Sequence, residues 1–255
     1  FVDLMKLRVV ELLLVSTLPA MVLAKEGLPS LTLTMATLIG GTLAAGSANA
    51  FNMVIESESD KLMKRTAKRP LATGVLTKPE ALIFATLIGL LSLLIFEVYT
   101  NTLTTALTAT AIVFYVWVYT ILLKKRTPQN IVWGGAAGCM PALIGWAAVS
   151  NSLSVTAWSF FLVIFFWTPP HFWALALYRR EEYAKVGIPM LPVTHGEKFT
   201  LLHIILYTII LAIVTLMPFS VGMSGLIYLF FATILNAIFL YYVVVLYRNY
   251  SDKLS

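Results

Sequence analysis

The sequence predicts an all-α membrane protein, a polytopic transmembrane helical bundle with eight spans in this chain. Three observations predict it. Hydrophobic residues make up 59% of the 255 and charged residues only 12%, where a soluble domain carries about 25% charged residues. Apolar runs of roughly twenty residues recur, the length that crosses the hydrocarbon core of a bilayer. A barrel would instead show alternating segments of roughly ten residues.

By apolar length the spans fall at residues 9–24, 31–55, 80–98, 103–123, 130–149, 155–178, 199–218 and 225–247. Lys and Arg fix their alternation. Lys6 and Arg8 precede span 1. Lys61, Lys64, Arg65, Lys68, Arg69 and Lys78 follow span 2. Lys124, Lys125 and Arg126 follow span 4, and Arg179, Arg180, Lys185 and Lys198 follow span 6. Arg248 and Lys253 follow span 8. Eight spans thus place 17 of the 18 bases on one face, with only Lys25 on the other. Both ends are expected to be cytoplasmic, in a bacterial inner membrane. The net charge of +6 belongs to this face, so it is no sign of nucleic-acid binding. The single cysteine, Cys139, excludes an internal disulfide framework and any CxxC metal site. No cleavable signal peptide is visible, and a start at Phe1 is expected to be a fragment boundary.

Two stretches put acids among the bases at the membrane edge, which sidedness does not require. The first, "NMVIESESDKLMKRTAKRPL", ends span 2. Asn49, Asn52, Glu56 and Asp60 follow one another at steps of three, four and four, which keeps side chains on one stripe of a helix. Asn52 to Asp60 covers about 12 Å along the axis. Glu58 points elsewhere. Two carboxylates and an amide on one stripe offer oxygen ligands to a hard cation, and Mg²⁺ is held by one or two carboxylates plus substrate phosphates. The bases just beyond, Lys64, Arg65, Lys68 and Arg69, would meet the phosphate anion. The plainer alternative is a helix end carrying i,i+4 ion pairs such as Asp60–Lys64. Within span 2, Gly40, Gly41, Gly46 and several alanines let neighbouring helices approach closely.

The second stretch is "WTPPHFWALALYRREEYAKVGIPMLPV". Pro169 and Pro170 remove backbone donors inside an apolar run and are expected to kink it. In membranes such breaks line enclosed cavities. His171 follows at hydrocarbon depth. Arg179, Arg180, Glu181, Glu182 and Tyr183 form a second acid–base cluster on the cytoplasmic face. Glu11 reads either as an ion-paired residue beside Lys6 and Arg8 or as a site residue. His195 and His203 read as loop and helix-start residues. "GGAAGCMPALIGW" lies mid-membrane and lacks the Lys-Ser/Thr ending of a phosphate loop, so it reads as a helix contact.

On these residues the chain resembles the UbiA superfamily of intramembrane prenyltransferases. More narrowly, it is similar to the protohaem farnesyltransferases within it. "NMVIESESDKLMKRTAKRPL", "YTILLKKRTPQNIVWGGAAGCMPALIGW", "WTPPHFWALALYRREEYAKVGIPMLPV" and the opening "KLRVVELLLVSTLPAMVLA" carry the resemblance. It implies a single domain over residues 1–255. It also implies nine helices, so the ninth is expected beyond this chain. The family's first acidic motif falls on Asn52, Glu56 and Asp60, with Glu at the middle position where Asp is common. Its second falls near Glu181 and Glu182, where a strict i,i+4 acid pair is missing because Lys185 stands four beyond Glu181.

The resemblance implies farnesyl diphosphate and haem b as substrates, Mg²⁺ as cofactor, and haem O for haem–copper oxidases as product. Catalytic residues would be Asn52, Glu56, Asp60, Glu181 and Glu182. Mg²⁺ would be held by Asn52, Glu56, Asp60 and Glu182. The diphosphate would meet Lys64, Arg65, Arg69, Lys125, Arg126 and Arg179. His171 would contact haem, with Trp167, Phe172 and Trp173 candidates to line its pocket. Membrane lipid and, among proteins, a haem A synthase or oxidase assembly factors are the implied partners. The competing readings are another UbiA-type transferase acting on a quinone or chlorophyll, a haem chaperone, and a transporter.

Overall fold

A computed structural model describes residues 1–250. Lys253 of the basic C-terminal end, and the region in which a ninth helix would begin, lie outside them. All regular structure among the described residues is helical. Eight helices there are long and apolar enough to cross a membrane. They are α1 (Leu7–Lys25), α2 (Leu31–Asp60), α3 (Lys78–Tyr99), α4 (Thr102–Val113) continued by a π-helix over Phe114–Leu123, α5 (Asn130–Ser150), α6 (Val155–Tyr178), α9 (Gly196–Val214) with the short α10 (Met217–Ser220), and α11 (Leu226–Arg248). Two further short helices, α7 (Arg180–Lys185) and α8 (Leu191–Thr194), fill the connection after α6.

Local chemistry sets the starts. The side chains of Ser30, Asn101 and Ser154 accept backbone N–H groups of α2, α4 and α6, each satisfying one of a helix's orphan donors. Thr77 and Glu80 form a reciprocal capping box at α3, which carries Pro79 in its first turn. Pro169 and Pro170 do not end α6, which stays helical through both. They leave the carbonyls of Phe165 and Phe166 without their usual donors.

The chain divides into two compact units. The first comprises residues 1–122 and 140–153. Its centre is the pair α2 and α3, held close by small residues as the sequence suggests. A Cβ on Gly40 would lie 2.9 Å from the Phe96 ring, and one on Gly89 2.7 Å from Ser47 Oγ. Two hydroxyls bridge the helices: Ser47 donates to the Ala85 carbonyl at 2.8 Å and Ser92 to the Gly40 carbonyl at 2.7 Å. Such bonds join helices where lipid offers no hydrophobic drive. Leu4, Ala50, Met53, Leu71, Ala81 and Ala85 form an apolar cluster at the end of α2 that bears the acids.

The second unit comprises residues 123–139 and 154 onward. Here α6 packs on α9, and Trp173, fully buried, meets Tyr207 and His203 edge to face. Gly135 admits Thr168, whose Cγ2 would lie 3.0 Å from an added Cβ. Asn236 donates to Thr215 Oγ1 at 2.6 Å and Tyr228 to the Thr215 carbonyl at 2.9 Å, tying α11 to the end of α9. Leu87, Leu90 and Leu94 on α3, and Phe230, Phe231 and Leu235 on α11, are exposed, as side chains that face lipid must be.

Candidate diphosphate and metal site

In the first unit α2 runs five residues past the predicted end of its span and stops at Asp60. That extension makes the predicted stripe real. Asn52, Glu56 and Asp60 are 2%, 6% and 4% exposed, while Glu58, two residues off, is exposed and pairs with Lys61 and Lys78. Burying two carboxylates is tolerable only with polar partners, and the partners of Asp60 are clear. Thr66 donates to the Asp60 carbonyl at 2.8 Å, closing a turn that returns the chain. Arg69 Nη1 then reaches Asp60 Oδ1 and Oδ2 at 2.8 and 2.6 Å.

The i,i+4 pair Asp60–Lys64 does not form. The helix ends before Lys64, so four-residue spacing no longer means a shared face, and Arg69 takes that place. Lys64, Arg65 and Lys68 are exposed and make no ion pair among the described residues.

Asn52 is engaged at both ends of its amide. Lys6 Nζ donates to Oδ1 at 2.9 Å, and Nδ2 donates to Thr120 Oγ1 at 3.3 Å. In the sequence Lys6 counts toward sidedness and stands as a neighbour of Glu11, and nothing singles out Thr120. Lys6 lies 46 residues from Asn52, so no spacing could join them. Glu11, the residue that reading linked to Lys6, is exposed and makes no ion pair among the described residues.

In the second unit α6 gives way at Arg179 to the six-residue α7. This break separates the two glutamates by environment. Glu181 is exposed, whereas Glu182 is half-buried and its Oε2 is buried with no hydrogen-bond partner. Arg179 is half-buried too, with Nε likewise unpartnered. Lys125 and Arg126 are exposed in the turn before α5. His171 lines a cleft of about 310 Å³ beside Pro170, with α6 on one side and Phe239, Tyr242 and Leu246 of α11 on the other. Its ring stacks on Trp167 at 4.4 Å and meets Phe172 edge to face. Trp167 lines the cleft; Trp173 is packed in the core instead, with its indole N–H unpartnered. His195 and His203 flank Phe199 in a ladder of rings at the start of α9.

The profile of the UbiA prenyltransferase family matches residues 13–255. The chain belongs to the UbiA prenyltransferase family. Among curated relatives, the protoheme IX farnesyltransferase of Nitrosospira multiformis is 52% identical over 255 residues, which is all of this chain and 86% of that protein. Among solved structures, a digeranylgeranylglyceryl phosphate synthase superposes with a TM-score of 0.83 at 17% identity, covering 99% of this chain and 88% of that one. A UbiA homologue from Archaeoglobus fulgidus bound to DMAPP and Mg²⁺ superposes with a TM-score of 0.76 at 18% identity, covering 98% of this chain and 88% of that one. These two likenesses establish the fold. The chain is an integral membrane protein, as its family and the eight membrane-length apolar helices among its described residues indicate.

The donor chemistry fits a hard divalent cation. Glu56 and Asp60 present buried carboxylates on one helical stripe, and Glu182 holds a buried oxygen with no protein donor. Oxygen donors of this type suit Mg²⁺. Among the described residues no group of three His, Cys, Asp or Glu side chains lies close enough together to hold a metal ion by itself.

Proposed function

We propose that this family member transfers the farnesyl group of farnesyl diphosphate to a vinyl group of haem b, forming haem O for haem–copper oxidases. The observation that carries this reading is identity of 52% along the entire chain to a relative of that activity. The reading takes residues 1–255 as one domain, since the family profile runs through both compact units. It places the basic face, and both ends, on the cytoplasmic side of a bacterial inner membrane.

Diphosphate is a poor leaving group until its charge is neutralised. In the first unit Glu56 and Asp60 would hold Mg²⁺, which supplies Lewis-acid stabilisation of the departing oxygens; in the second unit Glu182 is the acid whose buried oxygen is open to a cation. Asn52, the remaining donor of the motif, is engaged with Lys6. Lys64, Arg65, Arg69, Lys125, Arg126 and Arg179 would add positive charge, most effective as the C1–O bond breaks. Glu181 stands at the exposed edge of the second acidic cluster. The bonding pair leaves with diphosphate, the vinyl π pair forms the new C–C bond to farnesyl C1, and water quenches the resulting carbocation with loss of a proton. His171 would contact haem from the cleft that α6 and α11 line.

Membranes containing the protein, supplied with haem b, farnesyl diphosphate and Mg²⁺, are expected to yield haem carrying one hydroxyethylfarnesyl group, read by mass in haem extracts. Release of diphosphate without farnesylated haem would sink the reading in favour of another prenyl acceptor. No release at all would point to a carrier of haem.

A further inference from the structure

The feature that the functional reading does not absorb is Lys6. We propose that Lys6 is a diphosphate-binding residue of the acidic stripe, and that Asn52 serves as its holder and not as a metal ligand. This rests on the diphosphate reading given under the proposed function.

The segment before α1 is built to deliver this ammonium. Leu4 is fully buried, and Asn49 Nδ2 donates to the Met5 carbonyl at 2.9 Å. The Met5 side chain fills the notch at Gly46, where an added Cβ would lie 2.6 Å from its Cε. Lys6 itself has a φ of 53°, in the left-handed region that side-chain-bearing residues rarely adopt. Strain of that kind persists where surrounding structure fixes it, and it gathers at functional sites. A Gly or Asn would sit there more easily, so the backbone gives no reason for a lysine.

The orientation of the Asn52 amide follows from its neighbours. Thr120 lies in the π-helix, and its hydroxyl proton is committed to the Tyr115 carbonyl, five residues back, at 2.8 Å. Toward Asn52 the hydroxyl can therefore only accept. The amide NH₂ must face Thr120, and the amide oxygen must face the Lys6 ammonium. A neutral amide oxygen already held by an ammonium at 2.9 Å brings no negative charge to set against a second cation, unlike the Asp60 carboxylate beside Arg69, and is therefore a poor ligand for Mg²⁺, which binds oxygens at about 2.0–2.1 Å. The Lys6 ammonium is instead fixed on Asn52, which stands one helical turn from Glu56 and two from Asp60 on α2, the groups that would hold the metal–diphosphate. A fixed ammonium there needs little rearrangement to contact non-bridging phosphate oxygens.

The test uses the full chain in lipid nanodiscs, with Mn²⁺ and inorganic pyrophosphate as probes. Lys6→Met is expected to weaken pyrophosphate binding by about tenfold, with Mn²⁺ affinity in the absence of pyrophosphate unchanged. Lys6→Arg should retain most of the affinity. Asn52→Ala should follow Lys6→Met, weakening pyrophosphate and leaving Mn²⁺. Glu56→Gln and Asp60→Asn should lose Mn²⁺. If Lys6→Met fails to insert, Lys6→Gln carries the same expectation. Wild-type pyrophosphate affinity in the Lys6 variant, or loss of Mn²⁺ in Asn52→Ala, overturns the proposal while the site reading stands. Wild-type binding of both probes by Glu56→Gln and Asp60→Asn would overturn the site reading itself, and the proposal with it.

Discussion

The two acidic clusters are built in opposite ways. In the first unit the acids ride on a 30-residue helix, and the Asp60 carboxylate is clasped by Arg69. In the second they ride on a six-residue helix, and one oxygen of Glu182 and Nε of Arg179 are buried without partners. A satisfied cluster holds its shape at little cost before any ligand arrives. An unsatisfied one is stabilised by whatever supplies the missing partner. Asp60 is thus satisfied within its own unit, whereas Glu182 and Arg179 are each left with an unmet polar atom in theirs.

The sharpest way to break this comparison is at its rigid end. Asp60→Ala is expected to reduce farnesylated haem by about a thousandfold, measured in membranes whose content of inserted protein is matched. A variant that turns over normally would remove the first cluster from catalysis. Next, Arg69→Ala leaves the Asp60 carboxylate buried without its clasp. We expect a loss of about 3 kcal/mol in stability, read from unfolding in mixed micelles, and much less from Lys64→Ala. Equal effects of the two changes would mean that the clasp is not structural.

At the other end, Glu182→Gln should lower turnover about a hundredfold, and Glu181→Gln by no more than about twofold, as for other exposed positions. The reverse order would show that burial does not choose between the two glutamates. A smaller effect is expected away from both clusters. Gly145→Ala would place Cβ 2.7 Å from the Thr17 carbonyl oxygen, a backbone atom that cannot swing aside, and should cost about 2 kcal/mol with pyrophosphate affinity retained. The smallest effect is Glu58→Ala, which removes exposed pairs to Lys61 and Lys78 and should change stability by less than about 1 kcal/mol.

Much of the fold was legible because lipid imposes a length and a composition on each span. The sixth span matches α6 residue for residue, and the fifth differs from α5 by one. The second was cut at residue 55 because hydropathy fades there, yet α2 continues to Asp60; its charged end is sheltered by protein, which hydropathy cannot register. The stripe of Asn52, Glu56 and Asp60 was legible because helical spacing fixes direction. The Arg69 clasp was not, since it depends on a turn that Thr66 closes after the helix has ended. Lys6 was hidden for a related reason: its place beside Asn52 depends on a left-handed residue and a buried Leu4, and neither leaves a periodic trace. The partition between Glu181 and Glu182 needed the break at Arg179, which two adjacent acids in a row of charges do not announce.

The π-helix over Phe114–Leu123 makes this part of the chain intolerant of length change. Wide-turn helices of this kind usually survive only as single-turn bulges, and removing one residue here would let the ladder fall back into ordinary α register. Each residue of an α-helix turns the chain by about 100°, so such a deletion would swing Thr120 off the Asn52 amide. Natural variation within these ten positions should therefore run to substitution, with gaps confined to the turns on either side.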